Sequence, residues 1–142
     1  MVVSSSKPHF HVTAGLLWQN GMVLIAKRRE GSHLAGYWEF PGGKQEEGET
    51  LEECLEREIR EELGADVRAG KRLLTVEHEY EDRIISLYLF QCTHLNGELK
   101  PLACEEMKWV YPEDMTQYRF PPPDEKIIER LSKESWSNGV AE

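Results

Sequence analysis

At 142 residues, 39% hydrophobic and 30% charged, the chain fits a single soluble domain (1–142) large enough to build its own core. A formal net charge of −9 argues against a protein that grips a DNA or RNA backbone, so a phosphate-bearing partner would be a small molecule met by local cations or bound metal. No stretch reaches the roughly 20 apolar residues of a membrane span, and Met1–His11 holds no signal-like apolar run, so the expected setting is the cytoplasm, with no membrane partner. Cys54, Cys92 and Cys104 are odd in number and lack metal-ligand spacing, which points to three reduced thiols.

Residues 1–8 and 135–142 read as flexible ends. Val12–Trp18 and Met22–Ala26 are apolar runs on either side of Asn20-Gly21, a dipeptide that supplies the positive φ angles of a tight hairpin. Thr50, with Glu53 three residues on, forms a capping box. It opens a helix with Leu51, Leu55, Ile59 and Leu63 as its apolar stripe and Gly64 as its stop. Arg72–Val76 and Ile84–Cys92 read as strands, the second apolar enough to be covered on both faces. Asn96-Gly97 marks a turn and Met107–Tyr111 a short strand. A second helix, Asp124–Lys133, follows Pro121-Pro122-Pro123 and buries Ile127, Ile128 and Leu131. Strands flanked by two such helices predict an α/β fold, an α/β/α sandwich with a mixed β-sheet between helices.

The first helix carries Glu52, Glu53, Glu56, Glu58, Glu61 and Glu62. Such density alone can be a solvated face. At 100° per residue, however, Glu58, Glu61 and Glu62 fall within roughly 100° of arc, beside the apolar stripe. Like charges at these offsets repel, so their gathering at the edge of a buried face points to a cation. Hard carboxylate oxygens suit Mg²⁺, with Mn²⁺ as the alternative. Just upstream, Pro41-Gly42-Gly43 leaves backbone groups open to close approach.

Gly43, Glu49 and Arg57-Glu58-Ile59-Arg60-Glu61-Glu62-Leu63-Gly64, at these spacings, resemble the Nudix box, G-x5-E-x7-R-E-U-x-E-E-x-G-U. The one departure is the last aliphatic position, Ala65, a matter of packing and not of chemistry. His33-x4-Trp38-Glu39-Phe40-Pro41-Gly42-Gly43-Lys44, Tyr80-x-Asp82-Arg83 and Pro122-Pro123-Asp124 resemble the MutT-type branch of that family.

The resemblance implies a metal-dependent hydrolase that releases a nucleoside monophosphate and pyrophosphate from a triphosphate. By carry-over Glu58, Glu61, Glu62 and the Gly42 carbonyl hold the metal, while Glu49 and Arg57 orient the loop, with Gly43 and Gly64 supporting it. The branch adds a glutamate about six residues before a tryptophan. That position, counted from Trp109, is Ala103, so Glu105 is the substitute for the extra ligand or base and Glu106 the second choice. Without either, Glu58 or Glu61 must act as base. Arg29 and His33 are implied to face the phosphates, Phe40 to contact the nucleobase, and Arg83 to contact the nucleotide, the alternative for Arg83 being an ordinary strand-end charge.

Asp124 is implied to meet the nucleobase, the alternative being an N-cap of the last helix. An ionised Asp only accepts hydrogen bonds, which favours guanine or cytosine and disfavours uracil and thymine. The expected substrate is 8-oxo-dGTP, the runner-up CTP or 5-methyl-dCTP. An ADP-ribose hydrolase is disfavoured, because no proline lies between Pro41 and Pro101. A dinucleoside polyphosphate hydrolase remains compatible with Tyr80. A non-catalytic nucleotide sensor of the same family would be expected to lack box glutamates, and all are present. The partner is then a small-molecule nucleotide, with no nucleic acid polymer, acting on a monomer or homodimer.

Overall fold

The computed structural model describes residues 7–133; the expected flexible ends lie outside these, apart from Lys7 and Pro8. Those two are tied down: the Lys7 ammonium donates to Glu79 and to the Tyr80 carbonyl, and the Pro8 carbonyl accepts from Ile84 N–H. The strands are β1 (His9–Leu16), β2 (Trp18–Gln19), β3 (Met22–Lys27), β4 (Trp38–Glu39), β5 (Asp66–Glu79), β6 (Ile84–Asn96) and β7 (Glu106–Val110). The helices are α1 (Leu51–Leu63) and α2 (Pro122–Leu131), with a 3-10 turn at Pro112–Gln117.

β1, β6 and β5 form a mixed sheet in that order, β1 parallel and β5 antiparallel to β6. β3 is the spine of a second, antiparallel sheet, pairing with β7 along one edge and with β2 and β4 on the other. Alternation along β1 and β6 sends side chains to two cores. Ala14, Leu16, Leu87 and Leu89 join Met115, Ile127 and Leu131 beneath α2. Phe90 and Cys92 join Leu55, Ile59 and Leu63 of α1. The mixed sheet is therefore sandwiched between the two helices, as expected.

α1 follows its sequence signals closely. Thr50 and Glu53 exchange the two bonds of the capping box, and Gly64 closes the helix at φ 73°. Asn20 and Gly21 adopt φ 54° and 81°, which turns β2 tightly into β3. Other boundaries differ. β5 starts six residues before Arg72, through Arg68-Ala69-Gly70-Lys71, where register shifts interrupt its pairing with β6 and blur the alternation a sequence reader looks for. Two-residue β4 has no periodicity to detect and forms because the Lys27 end of β3 offers it an edge. Cys54, Cys92 and Cys104 are free thiols, the first two buried.

Candidate active site

The loop before α1 is laced to β1. Gly15 N–H donates to Pro41 O and Thr13 N–H to Gly43 O, both at 2.8 Å, and Gln45 N–H returns to His11 O at 2.8 Å. The Gly43 carbonyl also takes the Thr13 hydroxyl at 3.2 Å and the Cys54 thiol at 3.5 Å. Two glycines permit this closeness: a Cβ on Gly42 would overlap the Thr13 backbone, and one on Gly43 would overlap the Glu58 carboxyl. The loop therefore lies directly against α1, with the Gly42-Gly43 backbone beside Glu58.

Arg57 locks the arrangement. Its guanidinium donates twice to Glu49, at 2.9 and 2.8 Å, and also to Glu58 at 3.1 Å, Glu61 at 3.2 Å and the Lys44 carbonyl at 3.2 Å. These bonds pull the Glu49 carboxyl down to about 2 and hold Arg57 charged. Glu58 is half-buried, and burial raises its carboxyl. Glu62 is deeper: burial, with Glu39 and Glu58 nearby, pushes it up to about 8, although the Gly42 N–H bonds it. Its Oε1 is buried with no hydrogen-bond partner. A buried carboxylate oxygen left unpaired is costly, and a hard cation is the partner its chemistry suits. Among the described residues no three His, Cys, Asp or Glu side chains are already gathered round one metal-sized point. Glu61, 60% exposed and turned to Arg57, is the box acid left out. Of the three box glutamates named as ligands, Glu58 and Glu62 face the cavity.

Glu58 and Glu62 floor a cavity of about 600 Å³. His33, Phe40, Gly42, Gly43, Arg83 and Asp124 line it. Phe40 is buried and stacks on Phe120 at 5.4 Å. Three expectations are corrected. Arg29 is exposed, outside the lining; Arg28, tied to the Tyr37 and His33 carbonyls and to Glu39, takes its place. Glu105 and Glu106 stay outside: Glu105 N–H pairs with the Lys27 carbonyl and Glu106 opens β7 opposite Lys27, which leaves both exposed. The side chain of that loop that feels the Glu62 charge is Cys104, whose thiol is pushed up to about 11 by burial and by that carboxylate. Asp124 is no N-cap. Pro121 holds that position, and Asp124 is buried in the first turn, where its carboxyl accepts from the Phe40 N–H and its own. Burial, with Glu39 close by, pushes it up to about 8, so near neutrality it is mostly protonated and the acceptor-only argument does not hold.

Glu39, Lys44 and Tyr80 were not singled out from sequence as site residues, yet they line the cavity with Arg28. Glu39 takes a hydrogen bond from Arg28 at 2.9 Å and is raised by burial, partly offset by that arginine. It links the two ends of the cavity electrostatically, acting on both Glu62 and Asp124. A half-buried Arg–Glu pair beside the box has no local spacing signature; only the place of Glu39 in the motif approach, two residues before Pro41, hinted at it.

The model of the NUDIX domain matches residues 13–130. A CTP pyrophosphohydrolase of Escherichia coli K12 is 35% identical over 118 residues, spanning 83% of this chain and 87% of that protein. An 8-oxo-dGTP diphosphatase of Proteus vulgaris is 45% identical over 94 residues, 66% of this chain and 84% of its own. The solution structure of the E. coli ORF135 protein superposes with a TM-score of 0.82 at 31% identity, covering 96% of this chain and 97% of that one. With the box folded into a carboxylate-floored cavity and relatives matched along most of their length, the chain belongs to the NUDIX family as a MutT-like hydrolase of phosphoric anhydrides.

Proposed function

We propose that the protein is a Mg²⁺-dependent nucleoside triphosphate pyrophosphohydrolase acting on 8-oxo-dGTP, releasing the monophosphate and pyrophosphate. The observation that carries this reading is the single cavity that joins the box carboxylates Glu58 and Glu62 to the buried carboxyl of Asp124. Glu58, Glu62 and the Gly42 carbonyl would hold the cation, with Glu61 recruited from Arg57. When bound, Mg²⁺ (or Mn²⁺) neutralises phosphate charge and lowers the pKa of an attacking water. Arg28 and Lys44, beside His33, supply cations toward the triphosphate in a chain that is acidic as a whole. Glu49 and Arg57 keep loop and helix in register. With Glu105 outside, proton abstraction falls to the box, and Glu58 faces the cavity with a carboxyl that burial raises above its ordinary value.

Asp124 sets the choice of base. A protonated carboxyl offers a donor beside an acceptor. 8-Oxoguanine presents the complement, O6 accepting and N7–H donating, whereas guanine presents two acceptors. Cytosine, with N3 accepting and its 4-amino group donating, fits the same acid, and the similarity to a CTP pyrophosphohydrolase makes CTP or 5-methyl-dCTP the second reading.

The test is pyrophosphate release with Mg²⁺ from 8-oxo-dGTP, dGTP, CTP, 5-methyl-dCTP and dTTP, at pH 7 and pH 9, for wild type and Asp124→Asn. The wild type should prefer 8-oxo-dGTP over dGTP at pH 7 and lose much of that preference at pH 9, once Asp124 ionises. Asp124→Asn keeps a donor and an acceptor but does not titrate, so its preference should not change with pH. Equal pH dependence in the two proteins would remove Asp124 from base reading. No pyrophosphate from any substrate would overturn the activity.

A further inference from the structure

Among the described residues two non-glycine residues have positive φ, Asn20 at 54° and Leu34 at 58°. Asn20 needs no special reason, since asparagine tolerates the left-handed region and sits in a hairpin turn. Leucine does not: its Cβ crowds the following carbonyl there, and glycine or asparagine would relieve the crowding. The loop that holds Leu34 contains glycines at 31 and 36, both with positive φ and with open space around them, so leucine is not used for want of a flexible residue nearby.

The conformation is imposed from several sides. Arg28 N–H donates to Tyr37 O at 2.8 Å and Arg28 Nε to His33 O at 2.6 Å. Tyr37 N–H returns to Leu34 O at 3.0 Å, and the Arg119 guanidinium lies 5.1 Å from the centre of the Tyr37 ring. Backbone strain persists where surroundings over-determine it, and it concentrates at ligand clamps. Leu34 is only partly buried, is absent from both apolar cores, and lines the active-site cavity beside His33 and Tyr37. Its strain is thus not offset by core packing.

We infer that Leu34 is a specificity residue, held in a left-handed conformation so that its isobutyl group presses on the nucleoside portion of the bound nucleotide. The inference rests on the proposed nucleotide substrate. The charged part of that substrate is met by Arg28 and His33, which flank the same loop; an apolar side chain suits the sugar and base, not the phosphates.

The test combines stability and binding in Leu34→Asn, Leu34→Gly and Leu34→Ala. Asparagine and glycine relieve the strain, so their Tm should hold or rise, glycine less because it frees the unfolded chain. Alanine keeps the strain and should not gain. All three should raise KM roughly tenfold, the scale of a lost apolar contact, with kcat little changed. Inhibition by the nucleoside monophosphate product should weaken in parallel, while inhibition by inorganic pyrophosphate stays unchanged. Unaltered KM, or a fall in Tm for Leu34→Asn, would overturn the proposal: the first leaves no contact, the second makes the side chain a packing element. Weakened inhibition by both products would also overturn it, by showing that the whole loop had moved. Absence of turnover in the wild type would instead refute the substrate assignment, and the Tm comparison would still report on the strain.

Discussion

At the scale of single residues, Glu62 holds the sharpest conflict in the molecule. Its Oε1 is buried and unpaired, and its neighbours are acids. Glu62→Gln should therefore separate stability from activity. In chelator at pH 8 the variant should melt higher than wild type, because a buried charge is gone, while turnover with Mg²⁺ falls by about 10²–10⁴-fold. Glu105→Gln should leave turnover near wild type, since Glu105 is exposed and does not line the cavity. A large loss in Glu105→Gln would show that its loop swings inward on binding. Gly43 offers a geometric test. A methyl there must displace the Glu58 carboxyl and not backbone, so Gly43→Ala should fold yet lose roughly 10²-fold in kcat, the cost of misplacing a catalytic group by about an ångström. Circular dichroism and steady-state rates measure both halves.

At the scale of elements, α1 serves as scaffold and as bearer of the reactive acids, and the two duties lie on different faces. Cys54, Leu55, Ile59 and Leu63 anchor it to the mixed sheet, and Glu58 and Glu62 project from the flank that meets the Gly42-Gly43 loop. The capping box sits a full turn away from these acids. Thr50→Ala should cost about 1 kcal/mol of stability, seen as a Tm loss of about 2–4 °C, with kcat per folded molecule unchanged. A matching loss of kcat would mean that fraying of the first turn reaches Glu58. The loop depends on β1 in a similar way: Thr13 and Cys54 both donate to the Gly43 carbonyl, so a strand and the helix fix the backbone between them.

At the scale of the whole molecule, buried acids set an uncommon response to pH. Glu62 and Asp124 rise from ordinary values of 4.5 and 3.8 to about 8. Groups with raised folded pKa values contribute stability that is fully present below their unfolded pKa and is lost as pH climbs through the folded one. Glu49 works in the opposite sense. Pulled down to about 2, it contributes above about 4.5 and is lost as pH falls through 2. The metal-free protein should be most stable near pH 4–5, with Tm declining toward pH 8. Saturating Mg²⁺ should remove much of that decline by neutralising Glu62, and Asp124→Asn should remove a separate part. A flat Tm between pH 5 and 8 in chelator would contradict the burial of both groups.

The sequence determined α1, its caps, the Asn20-Gly21 hairpin and the identity of the box acids, because each rests on spacing within a few residues along one chain segment. It also pointed to Phe40, His33, Arg83 and Asp124, through motif positions. The tertiary structure decided what spacing does not encode. Arg28, and not Arg29, lines the cavity because Glu39 and the His33 and Tyr37 carbonyls hold it there. The exclusion of Glu105 depends on β7 pairing with β3. The state of Asp124 depends on burial against Phe40 and on the charge of Glu39, contributed by a strand about 85 residues earlier in the chain. Protonation, burial and facing are properties of surroundings assembled from distant segments, and only the packed fold brings those segments together.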